Sequence, residues 1–513
     1  MNPKNHGYTP SDFNQYINLT QEELDSVLVV NNDIEAIYST TPMQDGLIFQ
    51  HLYKPQSDAY IVQSASILEN VDLDHFKQAW NKLVYRHEGL RSSFQYKELN
   101  NFLQVINRSF TLLWTKEDIQ HLDIKQQTDR LEQFLKQDRI KGFDLGKSPL
   151  MRFHLLKISN DKYYFIWSHH HLILDGWCIS IIIEELYKIY SSLIRRETLK
   201  LESKKGYKEY IQWLNKQDKD IARQYWANEL LGIEPTKLSI NSQIEGEYCE
   251  KFIEIDESQT NLLKKLAKEI GVTVNTILQA IWALTLAQHT GQKEVVFGVT
   301  VSGRNIDLDG VTDIVGLLIN TIPLRVKLNP SEKFMDLLKR IQFKMNSNQD
   351  NGYIPLSVIQ STQKNRELFD NIFVFENYPP PQKPSGVLSD IFNLTPLRGV
   401  EKAEYPLSVL VTVSKNTVIK IHYNTQAISQ YQIQNIEHSI RQLCRTTNYE
   451  SNLGNIITLN DSDLHKLINW NKTDKAYPQE TIHNLFEKSV SKTPDRIAIV
   501  HDSQQLSYRA LNT

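Results

Sequence analysis

An aromatic and β-branched run, Tyr163-Tyr164-Phe165-Ile166-Trp167, leads directly into Ser168-His169-His170-His171-Leu172-Ile173-Leu174-Asp175-Gly176, and an apolar stretch from Cys178 to Tyr187 follows. The first segment has the composition of a buried strand, on which side chains alternate between faces. The last has the length and apolar content of a largely buried helix. Asp175-Gly176 is then a strand-to-helix turn, with His169 and His171 sharing one face of the strand and His170 on the other. A histidine near a helix N-terminus feels a partial positive charge that favours its neutral, proton-accepting form. Asp175 is placed to cap the helix or to hold an arginine, and either role fixes the turn.

Three other readings of these residues stay open at this point. The histidines could fill a core. His169 and His171 have the spacing of a strand-borne metal pair, although no third cluster of ligands stands out elsewhere. Asp175 could be a helix cap only, which is compatible with catalysis.

His170, His171, Asp175 and Gly176 match the His-His-x-x-x-Asp-Gly signature, and here the chain resembles the condensation domains of nonribosomal peptide synthetases. Further segments follow in that family's order. Thr41-Pro42-Met43-Gln44-Asp45-Gly46-Leu47-Ile48-Phe49 is similar to its first motif, in the form of members that accept a donor ending in a D-residue. Arg86 to Phe94 is similar to Arg-His-Glu-x-Leu-Arg-x-x-Phe, and Tyr207 to Trp213 to Tyr-x-Asp-Phe-x-x-Trp, with Glu209 and Tyr210 replacing Asp and Phe. Val315 to Arg325 matches Gly-x-x-x-Asn-Thr-x-Pro-x-Arg, and Asn348 to Asp350 and Phe369 to Tyr378 complete the set.

The resemblance implies an α/β fold of two chloramphenicol-acetyltransferase-like subdomains, a V-shaped pseudo-dimer with a central tunnel. It implies donor and acceptor substrates delivered as thioesters on the phosphopantetheine arms of upstream and downstream carrier proteins, with no cofactor bound by the domain itself. His171 would be the general base or the hydrogen-bonding orienter of the attacking amine, with His170 and Gly176 supporting the turn. A thioester is already activated, so the protein mainly positions two reactants and manages one proton. In this family the motif aspartate is salt-bridged to an arginine; Arg325 is the first candidate partner for Asp175 and Arg91 the second. Asn320 and Trp177 are expected to line the tunnel. Cys178, Tyr207 and Trp213 read as packing.

Composition agrees with a large enzyme of this kind. At 513 residues with 40% hydrophobic content, the chain exceeds the size at which one core splits. A net charge of -3 without a long basic run argues against nucleic acid as a partner. Three scattered cysteines, Cys178, Cys249 and Cys444, form neither a disulfide framework nor a zinc site, which fits a reducing cytoplasm. The most apolar helix candidate, Val274 to Ala287, is interrupted by Asn275, Thr276, Gln279 and Thr285 and reads as a core helix, not a membrane span.

Strands and helices alternate without a short repeat. Helical patterns begin at Ser258 and again after Gly271, and Glu294 to Ser302 reads as a strand. The passage Pro379 to Gly386 is too proline-rich for regular structure and is expected to be a connecting loop. The predicted organisation is a linker over 1–33, an N-terminal subdomain over 34–205, a C-terminal subdomain over 206–470, and a terminal segment over 471–513. Within the last, Thr481 to Ala498 and Leu506 to Leu511 resemble the opening of an adenylation domain, which implies a piece of a larger synthetase with adenylation as its neighbour. That neighbour weighs against an epimerisation domain of the same superfamily, and an intact His171 weighs against a non-catalytic docking module of the same fold.

Overall fold

The computed structural model describes residues 7–31, 33–55, 57–96, 101–239, 246–364, 367–378, 392–401, 405–445, 450–456 and 461–513, the first three of the last stretch by backbone only. The expected Pro379 to Gly386 loop lies outside them. The chain divides into two compact units, 1–458 and 459–513.

In the first unit, alternating buried positions build three sheets among the described residues. A five-stranded sheet runs in the order Asn393–Val400, Ile61–Glu69, Lys162–His170, Met151–Ser159, Leu113–Asp118. Its pairs are antiparallel except the last, which is parallel. A six-stranded mixed sheet runs in the order Asn320–Lys327, Glu294–Val301, Asn371–Glu376, Leu407–Val413, Thr417–Asn424, Tyr248–Ile255. A small third sheet joins Ile34–Ser39, Leu103–Asn107 and Ser92–Gln95.

The strand Lys162–His170 is buried at every position after Lys162, as its apolar run predicts for a strand covered on both faces. Helices Leu73–Arg86 and Gly176–Arg195 pack together, and Trp80, Phe153, Phe165 and Trp167 form an aromatic centre beside them. Val315, Leu317 and Ile319 enter the same core from far along the chain. The second sheet carries the helices Val274–Thr290, Phe334–Asp350 and Gln430–Arg445, whose apolar faces join its own core. Val274–Thr290 is a buried core helix, and among the described residues no single helix is long and apolar enough to cross a membrane.

A division at 205/206 separates the strands of the two large sheets with one exception. Asn393–Val400 crosses back and pairs along Ile61–Glu69, from Asn393 opposite Glu69 to Val400 opposite Gln63. Sequence periodicity carries no trace of this, because an edge strand reads the same whichever sheet it joins.

The second unit contains helices Asp461–Trp470 and Ile482–Lys492, a hairpin of Ile497–His501 with Gln504–Ser507, and a last turn, Tyr508–Leu511. Helix Asp461–Trp470 thus stands with the terminal segment, whereas the sequence pattern puts the boundary at 470/471.

Candidate active site

The strand that carries the histidines ends at His170, and His171 opens a single 3-10 turn, His171–Ile173, before helix Gly176–Arg195. Backbone bonds pin this junction. His170 N–H donates to the Leu150 carbonyl at 2.9 Å and His171 N–H to the Tyr60 carbonyl at 2.8 Å. From helix Pro42–Tyr53, the fully buried Gln44 amide donates to the Leu172 carbonyl at 3.0 Å, so the first motif supports the turn of the second.

The three histidines differ in environment. His169 is buried beside the Trp167 ring, and burial pushes it down to about 3. His170 is also pushed down to about 3 by burial, with His51 and His171 adding to it, and its Nδ1 accepts the Leu172 N–H at 3.2 Å. Both are neutral near neutral pH, and His170 is a cap for the turn. His171 is the histidine with an open edge: its side chain is 13% exposed, and its Nε2 lies 3.2 Å from Glu401 Oε1. Burial works against its charged form, but the bond to Glu401 and the Glu401 charge outweigh this, and its pKa stands above the ordinary histidine value. A helix N-terminus alone favours the neutral ring; here the carboxylate in direct contact works in the opposite direction.

Asp175 is the N-cap of helix Gly176–Arg195, its Oδ1 accepting Trp177 N–H at 3.1 Å. Its Oδ2 accepts Arg304 Nη1–H at 2.8 Å and Leu318 N–H at 3.0 Å. Arg304 also donates to the carbonyls of Ser302 and Ile314. The Cys178 thiol sits against Asp175 and the Gly316 backbone, a packing role as expected of it. A Cβ on Gly176 would fall 2.3 Å from Cζ of Tyr378, so glycine lets that ring close over the turn. Tyr378 meets Trp177 edge-on at 5.9 Å, and the Arg304 guanidinium lies over the Trp177 ring, 5.9 Å from its centroid.

The arginines chosen from sequence stand elsewhere. Arg325 pairs with Glu294 at 2.8 Å and donates to the carbonyls of Glu229 and Leu231. It is seven positions beyond Leu318, which touches Asp175, and extended chain over that span carries it roughly 20 Å away. Arg91 is buried against Glu35 at 2.7 Å, tying the turn before Ser92–Gln95 to strand Ile34–Ser39 within the small sheet. Asn320 uses its amide on the carbonyls of Gly352 and Ile354, at 2.7 and 3.0 Å, and so ties down a loop. Trp177 is partly buried, between Tyr378 and Arg304.

Arg86 and His87 meet Glu185 on the helix after the turn, at 3.0 and 2.7 Å, and Glu88 accepts the Lys208 N–H at 2.7 Å. Tyr207 donates to the Leu317 carbonyl at 3.0 Å, and its ring fills the space a Cβ on Gly316 would need. These motifs brace the turn and do not line the exposed edge of His171. Among the described residues no group of three or more His, Cys, Asp or Glu side chains could hold a metal ion.

The family model for the condensation domain matches residues 34–468. This chain belongs to the condensation-domain family. It is 34% identical over 518 residues to bacitracin synthase 3 of Bacillus licheniformis, covering 98% of this chain and 8% of that protein. To gramicidin S synthase 2 of Brevibacillus brevis it is 31% identical over 492 residues, covering 93% of this chain and 11% of that protein. The chain therefore spans about a tenth of these relatives. A four-domain nonribosomal peptide synthetase bound to AMP and glycine matches with TM-score 0.70 at 17% identity, over 93% of this chain and 38% of that one. The starter condensation domain of rhizomide synthetase with C8-CoA matches with TM-score 0.69 at 17% identity, over 82% of this chain and 98% of that one. The α/β fold of two chloramphenicol-acetyltransferase-like subdomains that the resemblance implied is thus the condensation-domain fold.

Two residues of this condensation domain's site are absent from the motifs read in the sequence. Arg304 follows Gly303, whose backbone φ of +65° and close approach to the Leu318 carbonyl require glycine. Ser302-Gly303-Arg304 at the end of a buried strand is the available signal. Glu401 follows the crossing strand, and no local pattern announces it.

Proposed function

We propose that this condensation domain forms an amide bond between two carrier-bound thioesters in nonribosomal peptide synthesis. The donor is a peptidyl or aminoacyl group on the phosphopantetheine arm of an upstream carrier protein, D-configured at its last residue. The acceptor is an aminoacyl thioester on a downstream carrier. The acceptor nitrogen attacks the donor thioester carbonyl, the C–N bond forms as the C–S bond breaks, and the thiol leaves with the proton that the nitrogen gives up. The domain needs no bound cofactor of its own for this. The likeness of residues 471–513 to the opening of an adenylation domain supports that domain as a neighbour, and a cytoplasmic setting suits the three separate cysteines.

The observation that carries the reading is His171, the partly exposed member of the three histidines, on a turn whose backbone is pinned by Leu150, Tyr60 and Gln44. Asp175, Gly176, His170 and Gln44 hold the turn, and none of them is needed as a nucleophile. His171 would orient the amine or take its proton in the uncharged form. The Thr41 to Phe49 motif supports the D-donor preference.

The test loads D- and L-aminoacyl donors on an upstream carrier, supplies a charged acceptor carrier, and follows transfer by intact-protein mass spectrometry. Dipeptide on the acceptor, faster from the D-donor and lost in His171→Ala, is the expected result. Inverted but untransferred donor would indicate epimerisation, and full activity of His171→Ala would move the chemistry elsewhere.

A further inference from the structure

The carboxylate that touches His171 arrives on the strand that crosses to the five-stranded sheet. Val400, the last residue of the crossing strand, pairs with Gln63, so Glu401 stands one step further, level with Val62, which pairs with His169. From there it reaches across the intervening strand to His171 Nε2 at 3.2 Å. Among the described residues no other side chain bonds this ring, and its Nδ1 is buried without a partner. The Glu401 side chain is 45% exposed, while the ring it touches is 13% exposed. The contact falls on Nε2, which leaves the ring with Glu401 as its side-chain partner among the described residues.

We infer that Glu401 is a positioning residue for His171: the strand that crosses between the two sheets delivers a carboxylate that sets the orientation and charge of the reacting imidazole. The inference rests on the reading of His171 given above. Other ionisable groups around the pair are His169 and His170 on the strand, Asp175 in the turn, Lys420 on Thr417–Asn424, Glu376 at the end of Asn371–Glu376 and Tyr378 just beyond it, whose phenol is held protonated by burial. His169 and His170 are neutral and Asp175 is committed to Arg304, which leaves Glu401 as the adjacent countercharge. Its own carboxyl is raised by burial, but His171 and Lys420 bring it below the ordinary glutamate value, so it is ionised at neutral pH.

The experiment compares the whole chain with Glu401→Gln, Glu401→Asp and His171→Gln in two readouts. The first is dipeptide formation against pH with loaded carriers. The second is the titration of His171 by NMR of histidine-labelled protein, assigned by the signal lost in His171→Gln. Glu401→Gln is expected to lower transfer roughly ten- to a hundredfold at the wild-type optimum, the worth of one hydrogen bond to a charged group. It should also move both the His171 titration and the acid limb of the rate profile to lower pH, while Glu401→Asp retains part of each. An unchanged His171 titration in Glu401→Gln overturns the inference, as does lost activity with an unmoved acid limb. Should His171→Gln transfer as well as wild type, the reading of His171 fails, and the titration still decides whether Glu401 controls the ring.

Discussion

Asp175 and Arg304 stand 129 residues apart in sequence and 2.8 Å apart in space, with side chains 0% and 3% exposed. One caps the helix after the histidine turn; the other follows the buried strand Glu294–Val301 of the second sheet. Their pair joins the two sheets at the turn. Removing one partner from a buried pair leaves an uncompensated charge, which costs about 3–5 kcal/mol. Arg304→Ala and Asp175→Ala should each lower the unfolding free energy by about that amount, and the double variant should lose less than the sum. Urea unfolding of the three variants checks this, and strictly additive losses would show that the pair is not coupled. Arg325→Ala, in a more exposed pair with Glu294, should cost about 1 kcal/mol and leave peptide transfer intact.

Gly176 owes its identity to the Tyr378 ring. Gly176→Ala forces a Cβ to 2.3 Å from that ring, and overpacking of this kind costs about 1–3 kcal/mol. The variant should unfold at lower temperature, and adding Tyr378→Ala should restore part of the loss. Failure of the second change to restore anything would place the strain elsewhere.

Glu185 makes the domain sensitive to acid. Burial raises its carboxyl, but the His87 hydrogen bond and the charges of His87, Arg86 and Lys204 bring it down to about 2 from an ordinary 4.5. Because the folded value lies below the unfolded one, this contribution is complete above about pH 4.5 and drains away as the pH falls toward 2. Denaturant midpoints of wild type and Glu185→Gln, measured across that window, should converge as the pH drops. Parallel curves would mean that the cluster is not linked to stability.

The cysteines should separate by reactivity. Cys249 is exposed, whereas Cys178 and Cys444 are buried, and burial pushes each of their thiols up to about 12. Brief alkylation at neutral pH, followed by peptide mass spectrometry, should label Cys249 alone. Rapid labelling of Cys178 in the folded domain would contradict its packing against Asp175 and Gly316.

What the chain discloses in advance is local. The strand, the turn and the helix around His171 follow from composition and period: the strand and helix lie within the observed Lys162–His170 and Gly176–Arg195, with the turn between them. The helices Glu257–Ile270 and Val274–Thr290 and the strand Glu294–Val301 fall where their patterns put them. Pairings across the fold are not legible in this way. Arg325 looks suitable for Asp175 because it lies in an apolar motif, yet strand geometry carries it to the far end, where it meets Glu294. Arg304 and Glu401 reach the site through tertiary contacts alone, one by a glycine turn and one by a strand that changes sheets. Asn320, expected at a tunnel wall, is occupied by two loop carbonyls.

The crossing strand Asn393–Val400 also bears on recombination between synthetases. A chimera joined near residue 205 inherits from its second parent a foreign edge strand, which must pair with Ile61–Glu69 of the first. The graft therefore has to match a register of backbone hydrogen bonds and seven opposed residue pairs, far from the splice point. Breakpoints that keep Ile61–Glu69 and Asn393–Val400 from one parent, exchanging only chain between them, preserve that match.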